Sequence, residues 1–277
     1  MATLVFFHAH PDDETIATGG TMAKAADEGH RVVLAIATRG EHGEIVDGVL
    51  EPGEALAERR VAESHRSGEI LGVARVEFLG YVDSGMMGEA TNDAIGSFWN
   101  ADVEEAARRL ATILREERAD VLTCYDDNGG YGHPDHIQVH RVGVRAAELA
   151  GTPRVFEATI NRDAVLRLAE AYAHELPPEV EQPGSVEDFQ ELGVPEQHIT
   201  TAVDVLDVLD RKRAAMTVHA SQIAETSWFL SLPPDVYEAM FGTEWYIHRG
   251  VDPSRRGPAS AETGFAEASL LDESREA

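Results

Sequence analysis

The sequence predicts a single-domain α/β fold, a Rossmann-like, mostly parallel sheet with helices on both faces. Three observations predict it. Short, continuous apolar runs recur along the first half of the chain, as strands buried on both faces require. They alternate with longer stretches carrying Ala, Leu, Glu and Arg at helical spacing, the pattern of right-handed βαβ crossovers. Two clusters rich in His and Asp follow the first and fourth of these runs, where an open α/β sheet has its ligand crevice.

Residues 4–7 (LVFF) are the first predicted strand and end in a polar cluster. A helix over 15–28 follows, with Gly29 where a C-terminal cap is expected, and 32–37 (VVLAIA) is the second strand. A helix over 54–71 stops at Gly72 and leads to a strand at 76–79, a helix over 102–117 and a strand at 121–123. After His136 a helix to 150, a strand at 155–159 and a helix at 163–174 continue the alternation. The stretch 177–197 breaks it with Pro177, Pro178, Pro183, Gly184 and Pro195, and residues 168–210 hold 11 acids and no Lys or Arg. Too little chain follows to build a second domain, so 177–197 is expected to be a loop or lid. A strand at 199–203 and a helix at 205–219 complete a domain of residues 1–251. Residues 252–277, rich in Ala, Ser, Glu and Pro, are expected to form a mobile tail.

Composition narrows the function. The 23 Lys and Arg against 50 Asp and Glu give a net charge of −27, and only Lys24 and Lys212 are lysines. A chain of that sign is repelled by nucleic-acid phosphates and anionic bilayers, so neither partner is expected. Cys124 is the single cysteine, which excludes an intramolecular disulfide framework and a Cys-rich zinc site and suits the reducing cytoplasm. The apolar runs fall far short of the roughly 20 residues of a membrane span. Homo-oligomerisation is left open.

The first cluster reads His8-Ala9-His10-Pro11-Asp12-Asp13-Glu14 and the second Tyr131-Gly132-His133-Pro134-Asp135-His136. Proline at a first helical position followed by acids is an ordinary helix start. Helix capping does not, however, ask for histidine before proline twice, nor for His136 three residues after His133. A divalent metal does. His10, Asp13 and His136 make a two-nitrogen, one-oxygen set of the catalytic zinc type, with positions left open for water. Iron(II) and manganese accept the same donors. Asp12 remains as a carboxylate near that water, suited to act as general base. His133 is expected to stay charged and polarise a substrate oxygen, with Asp135 holding or tuning its imidazole.

The HPDDE at 10–14 and HPDH at 133–136 resemble the two motifs of the PIG-L/LmbE-like zinc-dependent de-N-acetylases. Arg60-Val61-Ala62-Glu63, Gly80-Tyr81-Val82-Asp83-Ser84-Gly85-Met86 and His219-Ala220-Ser221-Gln222 extend the likeness, which runs over about residues 2–221 and is weakest across 152–199. The resemblance implies hydrolysis of the acetamide of a small N-acetylglucosamine-type conjugate, releasing acetate and a free amine. It implies His10, Asp13 and His136 as metal ligands, Asp12 as base, and His133 as electrophile or general acid with Asp135 behind it. Tyr131 would stabilise the oxyanion, and Arg60 and Asp83 would grip sugar hydroxyls or an appended group. Three alternatives stand beside this reading: an amidase of thiol conjugates, hydrolysis of another amide or ester at the same metal, and a non-catalytic metal- or sugar-binding module. Asp12 weighs against the last, because a pure metal binder needs no unligated carboxylate there. The acid excess favours a neutral conjugate over a phosphorylated one.

Other polar and aromatic residues receive plainer readings. His8 is expected in the core or behind the ligands, His42 on a solvated loop and His65 on the surface. His219 and Gln222 divide evenly between packing and a pocket role, and Trp228, Phe229 and Trp245 are expected in the core. Gly19-Gly20 lacks the spacing of a dinucleotide loop.

Overall fold

The computed structural model describes residues 1–172, 192–254 and 269–271. Among them the strands are β1 (Thr3–His8), β2 (Arg31–Ile36), β3 (Arg75–Phe78), β4 (Val121–Tyr125), β5 (Arg154–Thr159), β6 (Thr201–Asp204) and β7 (Thr243–His248). They form one sheet in the order β3-β2-β1-β4-β5-β7-β6. The first five run parallel, and β7 is antiparallel to both of its neighbours. The mostly parallel α/β architecture read from the apolar runs is therefore present, with β1, β2 and β4 almost wholly buried as that pattern requires.

The helices are α1 (Asp13–Ala17), α2 (Gly19–Asp27), α3 (Leu56–Leu71), α4 (Val103–Glu117), α5 (Pro134–Ala150), α6 (Arg162–Tyr172), α7 (Leu209–Val218), α8 (Trp228–Ser231) and α9 (Pro234–Phe241). Local chemistry explains where they start and stop. The Asp102 side chain accepts from Glu105 N at the start of α4, and Ala106, Leu110, Ala111 and Leu114 bury one stripe of that helix. His133 caps α5 by accepting from Asp135 N, with Pro134 at the first turn. Gly72 ends α3 in the left-handed conformation, as its position predicts. On α5, a Cβ at Gly143 would stand 2.7 Å from Cys124 Cβ, so glycine lets the helix lie directly on β4.

Several expectations need correction. The helix predicted over 15–28 is two helices, because Thr18 leaves helical geometry at φ −141° and its hydroxyl serves Glu14 O and His8 Nε2. The helix predicted over 205–219 begins instead with a 3-10 turn, Leu206–Val208. β7, α8 and α9 have no counterpart in the sequence reading, since β7 alternates Glu244 and Tyr246 inward with half-buried Thr243 and Trp245 and lacks a continuous apolar run. Trp228 is 41% exposed rather than in the core. Part of the expected tail is packed: Leu270 is 2% exposed and joins the main core, being half of the apolar pair Leu270-Leu271. Residues 173–191, most of the expected excursion, lie outside the described residues, as do 255–268 and 272–277. Where the chain resumes, Gly193 N donates to Gly130 O at 2.6 Å, so this segment packs on the loop after β4. No helix among the described residues is long and apolar enough to cross a membrane.

One buried ion pair ties the antiparallel strand β7 to the rest of the fold. Glu244 on β7 accepts from Gly20 N and Thr21 N, both at 2.8 Å, and so caps the N-terminus of α2. Lys212 on α7 completes it, with Nζ 2.7 Å from Glu244 Oε1 and side chains 1% and 2% exposed. One of the chain's two lysines is thus wholly internal. Lys212→Met is expected to lower unfolding free energy by about 3–5 kcal/mol, because it leaves a buried carboxylate without its counter-ion. Denaturant melts of parent and variant check this, and an unchanged midpoint would remove the pair from the stability account.

Candidate active site

The order of the sheet reverses between β1 and β4, so the chain leaving each strand enters the same crevice. From β1 come His10, Asp12 and Asp13; from the loop after β4 and the start of α5 come Tyr131, His133, Asp135 and His136. Asp83 arrives from the segment after β3 and Arg60 from α3. The structure therefore brings every predicted site residue to one end of the sheet.

Asp13 Oδ2 lies 3.4 Å from His10 Nδ1 and 3.4 Å from His136 Nε2. Two donors each about 2.1 Å from one tetrahedral ion stand about 3.4 Å apart, so this spacing fits a shared cation. Both rings are set for it from behind. His10 Nε2 meets Asp135 Oδ2 at 3.1 Å, and His136 Nδ1 meets Gly129 O at 3.1 Å. In each case the outer nitrogen donates, which leaves the inner nitrogen, once it gives up any proton, to turn its lone pair on a cation, the usual support of a metal-ligating imidazole. Nitrogens of His10, His133 and His136 also fall within 4.8 Å of one another. Gly129 is integral to the arrangement, for at φ +63° its imagined Cβ would stand 2.4 Å from His136 Cβ.

The two adjacent aspartates titrate in opposite directions. Burial opposes ionisation of Asp13, but His136 and His10 outweigh it and hold that carboxyl well below the usual range. Burial, together with the charge of Asp13, raises Asp12 to about 6 against the pull of Arg60. Burial would also depress His10, yet its contacts with Asp13, Asp135 and Asp83 hold it well above the ordinary histidine value. Tyr131 stands at the mouth, 45% exposed, with its hydroxyl 3.5 Å from His136 Nε2.

Three sequence readings change. His133 is neutral rather than charged: burial and then the charges of His10 and His136 lower it to about 4. Its Nδ1 accepts from Asp135 N, so the ring proton sits on Nε2. Asp135 does not hold His133 by its carboxylate, which instead takes His10 and, at 2.9 Å, Ser84 N. Arg60 is 3% exposed, and its guanidinium donates to Pro11 O, Gly40 O and Asp12 Oδ1, leaving it behind the crevice rather than open to a ligand. Asp83 accepts from Gly85 N and His42 N and faces His10 Nε2 at 3.4 Å. His8, read as a core residue, is one, bound to Tyr125 Oη and Thr18 Oγ1.

Sequence reasoning missed how Glu14, Ser67 and His219 join. Glu14 Oε1 accepts from Ser67 Oγ and His219 Nε2, and all three residues are fully buried. The available signal was periodicity, since Arg60, Glu63 and Ser67 share one face of α3.

Residues 5–147 match the PIG-L family, described as GlcNAc-PI de-N-acetylase. Over 280 residues the chain is 41% identical to a 1D-myo-inositol 2-acetamido-2-deoxy-alpha-D-glucopyranoside deacetylase of Thermomonospora curvata, covering 94% of this chain and 93% of that one. Its structure is similar to the 4-carboxy-2-hydroxymuconate hydratase of Pseudomonas putida, with TM-score 0.60, 20% identity and coverage of 91% and 97% of the two chains. It is also similar to the N,N'-diacetylchitobiose deacetylase of Pyrococcus horikoshii, with TM-score 0.50, 24% identity and coverage of 85% and 73%. At those identities the structural likeness shows a shared fold, on which a hydratase and a deacetylase both stand.

Two outcomes follow from the geometry. Gly129→Ala displaces the carbonyl behind His136 and is expected to weaken divalent-cation affinity by about 10–100-fold, read by chelator competition. Because His10 is held protonated among three carboxylates, cation uptake at pH 7 is expected to release about one proton per ion. Affinity should therefore fall as the pH drops. Calorimetry in buffers of different ionisation enthalpy measures that proton, and identical apparent enthalpies in all buffers would contradict it.

Proposed function

The chain belongs to the PIG-L de-N-acetylase family, and from that premise we propose that its substrate is 1D-myo-inositol 2-acetamido-2-deoxy-alpha-D-glucopyranoside. It is a hydrolytic N-deacetylase that removes an N-acetyl group from a GlcNAc-type conjugate, releasing acetate and a free amine. The observation that carries the site assignment is Asp13 Oδ2 standing 3.4 Å from an inward nitrogen on each of two histidines whose tautomers are fixed from behind. His10, Asp13 and His136 would hold the ion, and their two imidazoles and one carboxylate suit zinc. When bound, it supplies Lewis acidity, making water nucleophilic near neutral pH and polarising a carbonyl.

The chain's own residues handle the protons. Asp12 accepts the proton of the attacking water. Its carboxyl, raised to about 6, then returns the proton to the departing amine without a large energetic mismatch at either step. His133, neutral with its proton on Nε2, donates a hydrogen bond to the oxygen that becomes negative, and Tyr131 at the mouth does the same. Asp135 orients His10, and Asp83 lies at the wall where the sugar's appended group enters. Arg60 steadies Pro11 and Asp12 instead of gripping substrate.

The substrate named for that relative carries no phosphate, which suits a chain of net charge −27 whose guanidinium nearest the proposed base is already engaged. We place the enzyme in the cytoplasm, where the free, buried Cys124 stays reduced.

Asp12→Ala is expected to keep full metal content and lose acetate release by about 10²–10⁴-fold, read by fluorescent detection of new amines. Full activity in that variant would refute the assignment of the base. Chelation should abolish turnover of the parent and zinc should restore it. A panel of GlcNAc conjugates, including a phosphoinositide form, tests the substrate. Silence of the parent across the panel would refute the deacetylase reading.

A further inference from the structure

The base sits in a backbone conformation that a non-glycine residue seldom adopts. Asp12 has φ +102°, and only it and Arg118 are positive among the described non-glycine residues. Such a conformation is strained for a residue with a Cβ and persists only where the surroundings hold it. Its amide donates to Glu14 Oε2 at 2.8 Å. The other oxygen of that carboxylate accepts from Ser67 Oγ at 2.5 Å and from His219 Nε2 at 2.7 Å. From the opposite side, Arg60 Nη2 donates to Pro11 O at 2.5 Å and to Asp12 Oδ1 at 3.3 Å. The peptide joining Pro11 to Asp12 is thus gripped at its carbonyl and at its amide.

This arrangement is an expensive way to fill a core. Glu14, Ser67 and His219 have no solvent exposure, and His219 Nδ1 has no hydrogen-bond partner among the described residues. Apolar residues of similar volume would pack there at lower cost than a buried carboxylate and imidazole. What the polar set supplies is a fixed acceptor for one amide, that of Asp12. Ser221, two residues beyond His219, anchors the turn by donating to Glu63 from N and Oγ, and Glu63 lies on the α3 face that carries Arg60 and Ser67. The end of α7 and one face of α3 thus form a rigid seat for the base.

We propose that Glu14, clamped by His219 and Ser67, is the positioning residue for the catalytic base, holding the Asp12 peptide so that its carboxylate faces the water and not the metal ligands. This rests on the deacetylase reading above. Glu14, fully buried behind the crevice, acts through the geometry of Asp12.

The test compares His219→Leu, His219→Gln and Ser67→Ala with the parent, all loaded with cobalt(II). His219→Leu is expected to lower kcat by about 10²-fold at unchanged KM, the penalty for misplacing a reacting group by about 1 Å. Metal stoichiometry and the cobalt absorption spectrum should match the parent, because His10, Asp13 and His136 stay in place. His219→Gln keeps a donor near the Nε2 position and should recover most of kcat. Ser67→Ala, a small change, should lower kcat in the same direction and carries the test if His219→Leu does not fold. A crystal structure of the folded variant should show Asp12 released from φ +102°. Parental kcat in both His219→Leu and Ser67→Ala, or a loss in KM or cobalt content with kcat intact, would overturn the proposal. A parent with no amide hydrolysis would instead overturn the deacetylase reading, while the structure and cobalt spectrum would still report on the clamp.

Discussion

The hydrogen-bonded ladder between β1 and β4 is the constraint on which the site depends. Leu4, Val5 and Phe6 pair with Val121, Leu122 and Thr123, far apart in sequence but level in the sheet. Because that register is parallel, both strands point their carboxyl ends the same way and release their chains side by side. One carries the histidine and aspartates of the first motif, the other the histidines of the second. A slip of one residue along the ladder would turn every inward side chain outward and pull the two donor sets apart.

Around this junction the protein concentrates negative charge to a degree that only a cation or protonated imidazole can balance. Asp13, Asp83 and Asp135 surround His10, and backbone amides of His10, His42, Ser84 and Gly85 help hold those carboxylates. The contrast between Asp12 and Asp13 shows how finely environment sorts chemically identical groups. Asp13 looks at two imidazoles and is held ionised, while Asp12 has Arg60 at 3.3 Å and the more distant His219 against its burial, which still raises it. Two carboxylates on one stretch of backbone thereby meet opposite environments, the basis of the two roles proposed for them.

Much of this was legible before any coordinates. The apolar runs disclosed β1, β2 and β4 because strands covered on both faces leave an unbroken hydrophobic signature, and the motifs disclosed the site because capping does not ask for their histidines. The antiparallel strand β7 was illegible, since it has no such run and its importance lies in Glu244 reaching the start of α2. The partner of Asp135 was illegible for a related reason. Adjacency in sequence pointed to His133, whereas the helical start turns that backbone amide toward His133 and sends the carboxylate to His10. Arg60 misled because a motif position says that a residue is needed, not whether it faces solvent or the back of a loop. The join between Glu14 and His219 spans 205 positions and leaves no local trace.

The backbone of Asp12 is also where the fold and the proposed chemistry make different demands. At φ +102° glycine is free of the steric penalty that any residue with a Cβ incurs, so stability alone would favour glycine at this position. The chain keeps aspartate and accepts the strain, as expected where function and fold pull in different directions. Glycine at position 12 would relieve that strain and remove the carboxylate proposed as base, so backbone geometry and the proposed chemistry make opposite demands on this one residue.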